Sequence, residues 1–155
     1  MITFPTDYLP RLLEGGAERR NLEFKPSFDW NDDRSLWLRE KVIQAILGFS
    51  NTPLGGVLLL GIEGDSTGTP RPVGLTEAHR RSFDTEAFKS RIDGFASSAT
   101  VFQHGVGDFE KVSLLVIQVS EFERRPIICK KNGSHQDRIL CEGEVYVMPD
   151  STSFA

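Results

Sequence analysis

The apolar and polar positions along this chain fall into short blocks with distinct periods. Residues 7–14 put Leu9, Leu12 and Leu13 on one side of a helix, with Thr6 as its N-cap and Gly15-Gly16 as its stop. From Asn21 the pattern alternates. Leu22 and Phe24 face one way and Asn21, Glu23 and Lys25 the other, which predicts a half-buried strand closed by Pro26. Residues 29–33 are polar and suit a cap for the next helix, 34–50, whose stripe is Leu38, Val42, Ala45, Ile46 and Phe49. After the break at Asn51-Thr52-Pro53-Leu54-Gly55-Gly56, residues 57–62 are almost wholly apolar, the signature of a central strand covered on both faces.

The second half alternates between turn signals and short runs. Residues 64–72 hold two glycines and two prolines and predict a turn-rich loop. Residues 84–97 predict an amphipathic helix with Phe83, Ala87, Phe88, Ile92 and Phe95 inward. Segments 100–104 and 111–120 predict a hairpin linked by Gly105-Val106-Gly107-Asp108. Segments 127–130 and 144–148 are two further candidate strands. The order implies an α+β domain with a single mixed, mostly antiparallel sheet and two to three helices packed against it.

Composition narrows the function classes. The chain has 155 residues, 39% hydrophobic and 26% charged, which fits one globular domain and excludes a disordered or collagen-like chain. No apolar run approaches the roughly 18 residues of a membrane-spanning helix. The N-terminal residues lack the basic start and apolar stretch of a signal peptide, so a cytoplasmic location is expected. With 18 basic against 22 acidic residues the net charge is −4, so any nucleic-acid contact must come from a local patch. Cys129 and Cys141 are expected as free thiols, and His79, His104 and His135 show no zinc spacing. No Walker lysine follows Gly55-Gly56, which argues against a nucleotide-binding loop and for a tight start to a crowded strand. Asn51 is expected to cap the helix before it. Phe122 and Tyr146 are aromatics that could stack a base, although core positions are the commoner use.

Three segments in register carry a resemblance. They are Glu18-x-x-x-x-Glu23-Phe24-Lys25; Ala45-Ile46-Leu47-Gly48-Phe49-Ser50-Asn51-Thr52 followed by Gly55-Gly56-Val57-Leu58-Leu59-Leu60-Gly61-Ile62; and Pro72-Val73-Gly74-Leu75. With weaker echoes at 116–120, Pro126 and 144–147, this arrangement resembles the Schlafen AlbA-like domain, a nucleic-acid-binding module, over a core of about residues 14–151. One such domain fills residues 1–155, and it looks like the N-terminal part of a longer regulator. The chain departs from the family pattern at three places. Pro53 and Leu54 lengthen the Asn-Thr to Gly-Gly link by one residue, Gly64 stands where many members carry Asp, and no arginine follows Tyr146 in the closing motif.

The resemblance implies two chemistries. Some members are similar to metal-dependent ribonucleases with three acidic residues. Carried over by position, the catalytic candidates are Glu18, Glu23 and Asp65, and the candidate magnesium or manganese ligands are Glu18, Glu23, and Glu63 or Asp65. Glu18 and Glu23 face opposite sides of a straight strand, and lie about 140° apart on a helix, so they converge only if the chain bends at 19–21. For binding without cleavage, which requires no cofactor, the useful groups are Arg19, Arg20 and Lys25, then Arg124, Arg125, Lys130, Lys131 and Arg138. Family lobes often sit in pairs, which implies a homodimer here. The leading expectation is therefore a domain that binds the phosphate backbone of RNA or DNA. A metal-dependent endoribonuclease acting on structured, tRNA-like RNA is the second, and an inert dimerisation module the third. The nucleic-acid readings require the N-terminal acidic–basic segment to adjoin the loop that leaves the hydrophobic central strand.

Overall fold

The computed structural model describes residues 1–14, 21–121 and 125–148. Seven strands and four helices are described: β1 (Ile2–Thr3), α1 (Tyr8–Leu12), β2 (Leu22–Lys25), α2 (Leu36–Ser50), β3 (Gly56–Leu60), β4 (Ile62–Gly64), β5 (Pro70–Pro72), α3 (Glu77–Phe83), α4 (Glu86–Asp93), β6 (Phe102–Phe109) and β7 (Val112–Val119). The expected mixed α+β architecture is present. Five strands form one sheet in the order β1-β6-β7-β3-β2, and β4-β5 make a small second sheet. The longer ladders, β6–β7 and β3–β7, are antiparallel, while β1–β6 and β2–β3 are parallel.

The alternation read in β2 determines its placement. Leu22 and Phe24 are buried in a core with Phe4, Leu9, Leu59 and Val116 on the α1 side of the sheet. Leu58, Leu60, Leu115 and Ile117 point the other way, onto α2. Helix α2 is apolar over more than the predicted stripe: Ile43 and Leu47 are buried as well. The reason lies in the C-terminal segment, whose Ile127, Cys129, Ile139 and Leu140 join the same core. A helix covered on two sides needs apolar residues on both.

Several local expectations are corrected. Asp7, not Thr6, occupies the N-cap of α1. The helix at 34–50 begins at Leu36, after a single 3-10 turn capped by the Asp32 carboxylate, which accepts from Arg34 N at 2.9 Å. The central strand stops at Leu60 because Gly61 takes φ 109°, a conformation that turns the chain into β4. The loop expected at 64–72 is the β4–β5 hairpin. Residues 84–97 are helical only over Glu86–Asp93, and α3, capped by Thr76, precedes them. Gly105–Asp108 lies inside β6, and the hairpin turns at Glu110-Lys111, both at positive φ. Segments 127–130 and 144–148 form no strand; only an Ala96–Cys129 bridge is present. They are held by scattered backbone bonds, such as Cys129 N to Glu144 O at 2.8 Å and Lys130 N to Phe95 O at 2.9 Å, together with side chains, not by a regular ladder. Gly55-Gly56 matches the crowded-strand reading: a Cβ on Gly56 would overlap the Phe49 ring, and Gly55 sits at φ 63° against the Val119 carbonyl.

Candidate nucleic-acid interface

The parallel pairing of β2 with β3 sets Lys25 opposite Leu60, and Gly61 N donates to Lys25 O at 2.9 Å. The end of the acidic–basic strand thus adjoins the start of the β4–β5 hairpin. Of the expected residues, Glu18, Arg19, Arg20 and Arg124 lie outside the described residues.

The remaining acidic candidates occupy three different settings. Glu23 faces α2, with one carboxylate oxygen 3.3 Å from the Lys25 ammonium. Its other oxygen, Oε2, is buried and has no hydrogen-bond partner among the described residues. Both side chains line a cleft of about 270 Å³ with Lys41 and Gln44 of α2 and with Tyr146. Glu63 is exposed on β4, opposite Arg71 and 3.9 Å from its guanidinium. Asp65 closes its own turn: Oδ1 accepts from the Thr67 hydroxyl at 2.6 Å, Thr67 N at 2.7 Å and Thr69 N at 3.0 Å. The Thr67 hydroxyl, followed by the Thr67 and Thr69 amides, holds the Asp65 carboxyl below its ordinary pKa. Among the described residues no three His, Cys, Asp or Glu side chains gather as a metal site. Glu23, Glu63 and Asp65 are thus not gathered around one ion, Glu18 lies outside the described residues, and no chemical step is routed through a metal below.

Lys25 differs from the outward-facing cation read in the sequence. It is 4% exposed, because the polar face of β2 is turned toward α2, not toward water. The late cations are the opposite case. Arg125, Lys130, Lys131 and Arg138 are all exposed and make no ion pair among the described residues. By contrast Arg11, Arg34, Arg39, Arg71, Arg80, Arg81 and Lys89 each sit within 4.0 Å of a carboxylate. A paired cation has its charge offset locally, so the four free ones project positive potential into solvent.

The segment carrying them is anchored by groups that periodicity did not single out. Asn51 is the C-cap of α2, as expected, its N–H donating to Gly48 O at 3.2 Å, but at φ −107° it is not left-handed. Its side-chain amide also accepts from Ile127 N at 2.7 Å and donates to Ile127 O at 2.9 Å and Tyr146 O at 3.0 Å. Glu40, 3% exposed, accepts from Ser134 N at 2.9 Å and His135 N at 3.2 Å. Gln44 donates to Ile139 O at 3.0 Å. The Tyr146 hydroxyl donates to Ile139 O at 3.0 Å and accepts from Cys141 N at 2.8 Å. Burial raises the Tyr146 pKa, so that hydroxyl keeps its proton at neutral pH. A Cβ on Gly133 would overlap the Glu40 carboxylate, so a larger residue there would push that carboxylate from its place beside the Ser134 and His135 amides. The sequence signal for this anchoring was a glutamate and a glutamine one turn apart in a helix that also carries Arg39 and Lys41. Cys129 and Cys141 are both free.

A mixed sheet with one central two-sided helix and an anchored, basic C-terminal segment defines the class of domain. The family model described as Schlafen, AlbA_2 matches residues 18–153, and the chain belongs to that family. Among solved structures, the chain is similar to the N-terminal domain of an ATP-dependent DNA helicase RecG-related protein from Nitrosomonas europaea, determined by solution NMR. The identity is 24%, the coverage 96% of this chain and 90% of that one, and the TM-score 0.58. That likeness is one of fold. A Corynebacterium diphtheriae protein matches at 20% identity and TM-score 0.49, over 83% of this chain and 24% of that one. No curated protein sequence matches the chain. Among the described residues no helix is long and apolar enough to cross a membrane.

Proposed function

We propose that this domain binds nucleic acid mainly through the phosphate backbone, using Arg125, Lys130, Lys131 and Arg138, with Arg19, Arg20 and Arg124 of the neighbouring segments as further candidates. The observation that carries this reading is the contrast in pairing among the described residues: four exposed cations on one anchored segment lack carboxylate partners there, while most others have one. Holding the segment with Asn51, Glu40 and Gln44 reduces the entropy lost when phosphates are engaged. Membership of the Schlafen, AlbA_2 family supports the same reading. Contacts of this kind position a strand without choosing its sequence and weaken as salt rises.

A second reading, cleavage of structured RNA, is favoured by one feature. The buried Oε2 of Glu23 lacks a partner among the described residues, and unpartnered carboxylate oxygens at the edge of a cleft are suited to receive a ligand. One experiment separates the two readings: incubate the protein with tRNA and with duplex DNA, with and without manganese, at two salt concentrations. Salt-sensitive binding without cleavage supports the first. Manganese-dependent cleavage lost in Glu23→Ala selects the second. Neither at low salt leaves the inert module. Light scattering on the same samples tests the homodimer that belongs to this proposal, a two-fold pair presenting two basic segments.

A further inference from the structure

A second surface carries groups that the fold itself does not use. At the ends of β3, β6 and β7, a cleft of about 580 Å³ is lined by Ser98, Val101, Ser120, Glu121 and Arg125. It runs into a neighbouring cleft of about 860 Å³ that shares Val101, Ser120 and Glu121 and is bordered by Leu54. The Ser98 and Ser120 hydroxyls, the Glu121 carboxylate and the Arg125 guanidinium make no hydrogen bond or ion pair among the described residues. Donors and acceptors are therefore gathered along one trough with no partners among the described residues.

The apolar part of the trough is equally unexplained by folding. Val101 is 58% exposed and Leu54 is 79% exposed. Gly55 N donates to Thr52 O at 3.0 Å, which places Leu54 at the third position of a tight turn with φ 69°. Glycine or asparagine suits that conformation; leucine is sterically disfavoured there. The extra residue that lengthens this turn thus presents a large apolar side chain to solvent at a conformational cost.

We infer that this trough holds an unstacked stretch of single-stranded nucleic acid, with bases lying against Leu54 and Val101, a phosphate on Arg125, and a base amino group donating to Glu121. The inference rests on the nucleic-acid reading above and adds to it the form of the ligand. A bare phosphate would be repelled by Glu121. A base edge carrying N–H donors is not, and carboxylates accept from the cytosine amino group. In a duplex the bases are stacked and their pairing edges occupied, whereas a single strand offers both the apolar faces and the amino edges that the trough complements.

The test uses fluorescein-labelled (C)12 and (U)12 oligoribonucleotides and a 12-base-pair duplex, titrated by anisotropy at fixed low salt. The protein should bind (C)12 about fivefold more tightly than (U)12, because uracil lacks the amino group. Glu121→Ala should abolish that preference and tighten (U)12 slightly, since a repelling charge is gone; a merely structural role would weaken both. Leu54→Gly should weaken both single strands about threefold and leave the duplex unchanged, while thermal stability holds or rises because glycine tolerates the turn. Equal affinity for (C)12 and (U)12, unmoved by either substitution and accompanied by salt-sensitive duplex binding, would overturn the inference and leave the backbone-binding reading standing. Absence of binding to all three probes would remove both.

Discussion

Lys25 and Glu23 stand two residues apart on the same face of β2, and the Lys25 ammonium lies 3.3 Å from the Glu23 carboxylate. Their side chains are 4% and 20% exposed, so the two ends of the pair are not equivalent. Removing the glutamate strands an ammonium on a 4% exposed side chain, whereas removing the lysine leaves a carboxylate whose Oε2 is buried but whose side chain, 20% exposed, is the less buried of the two. Glu23→Ala is expected to lower unfolding free energy by about 3 kcal/mol, and Lys25→Met by clearly less. Urea denaturation of both variants checks the order; the reverse order would show that the lysine is the better solvated partner.

Asn51 ties the C-terminal segment to the end of α2 through three hydrogen bonds, to Ile127 and Tyr146. Replacing it with alanine leaves buried backbone groups unsatisfied, at about 1–3 kcal/mol each before relaxation. Asn51→Ala should therefore destabilise the domain by at least about 2 kcal/mol. It should also raise amide exchange around 127 and 146 more than in β3 or β7. Uniform exchange across the domain would mean that the segment is held by its apolar residues alone.

How much of this was legible in the sequence follows from which signals are local. The alternation at Leu22 and Phe24 and the apolar run at 57–60 report burial directly, so β2 and β3 were readable. The β6–β7 hairpin was readable as a pair but not at its turn. Gly105 and Gly107 are glycines for packing: a Cβ on Gly105 would overlap the Ile2 carbonyl, and one on Gly107 would press on Leu9. The true turn uses Glu110 and Lys111 at positive φ, which propensity does not announce. Segments at 127 and 144 have strand composition, yet they share only the Cys129 N to Glu144 O bond, and their other backbone partners include Asn51, Phe95 and Ser97, residues distant in sequence. The candidate site was legible in its late cations. It was misleading at Lys25, because alternation says which residues share a face but not what covers that face.

His104 gives a pH signature independent of ligand. Its Nε2–H donates to Phe83 O at 2.9 Å, and its ring packs 4.7 Å from that of Phe88. Burial lowers its pKa below the ordinary value, so the folded state binds fewer protons than the unfolded state. Its stabilising contribution is complete above the unfolded pKa of about 6.5 and is lost as pH falls from there through the lowered folded value. The unfolding free energy of the parent should thus drop between pH 7.5 and 5.5. In His104→Gln, which keeps a donor but does not titrate, that drop should be smaller. Equal slopes in both proteins would assign the pH dependence to other groups.

The most direct test of the central claim is the salt dependence of duplex DNA affinity for the parent chain and for a variant with Arg125, Lys130, Lys131 and Arg138 all changed to alanine. These cations are exposed and make no ion pair among the described residues, and the one contact of a charge with the fold is Lys131 over the Phe95 ring at 4.6 Å, so the variant should retain the parent's circular dichroism with at most a small drop in melting temperature. The account predicts that the slope of log affinity against log salt becomes shallower by about 3 to 4, with the loss of binding largest at low salt. An unchanged slope in a folded variant would contradict it and move the interface elsewhere on the domain.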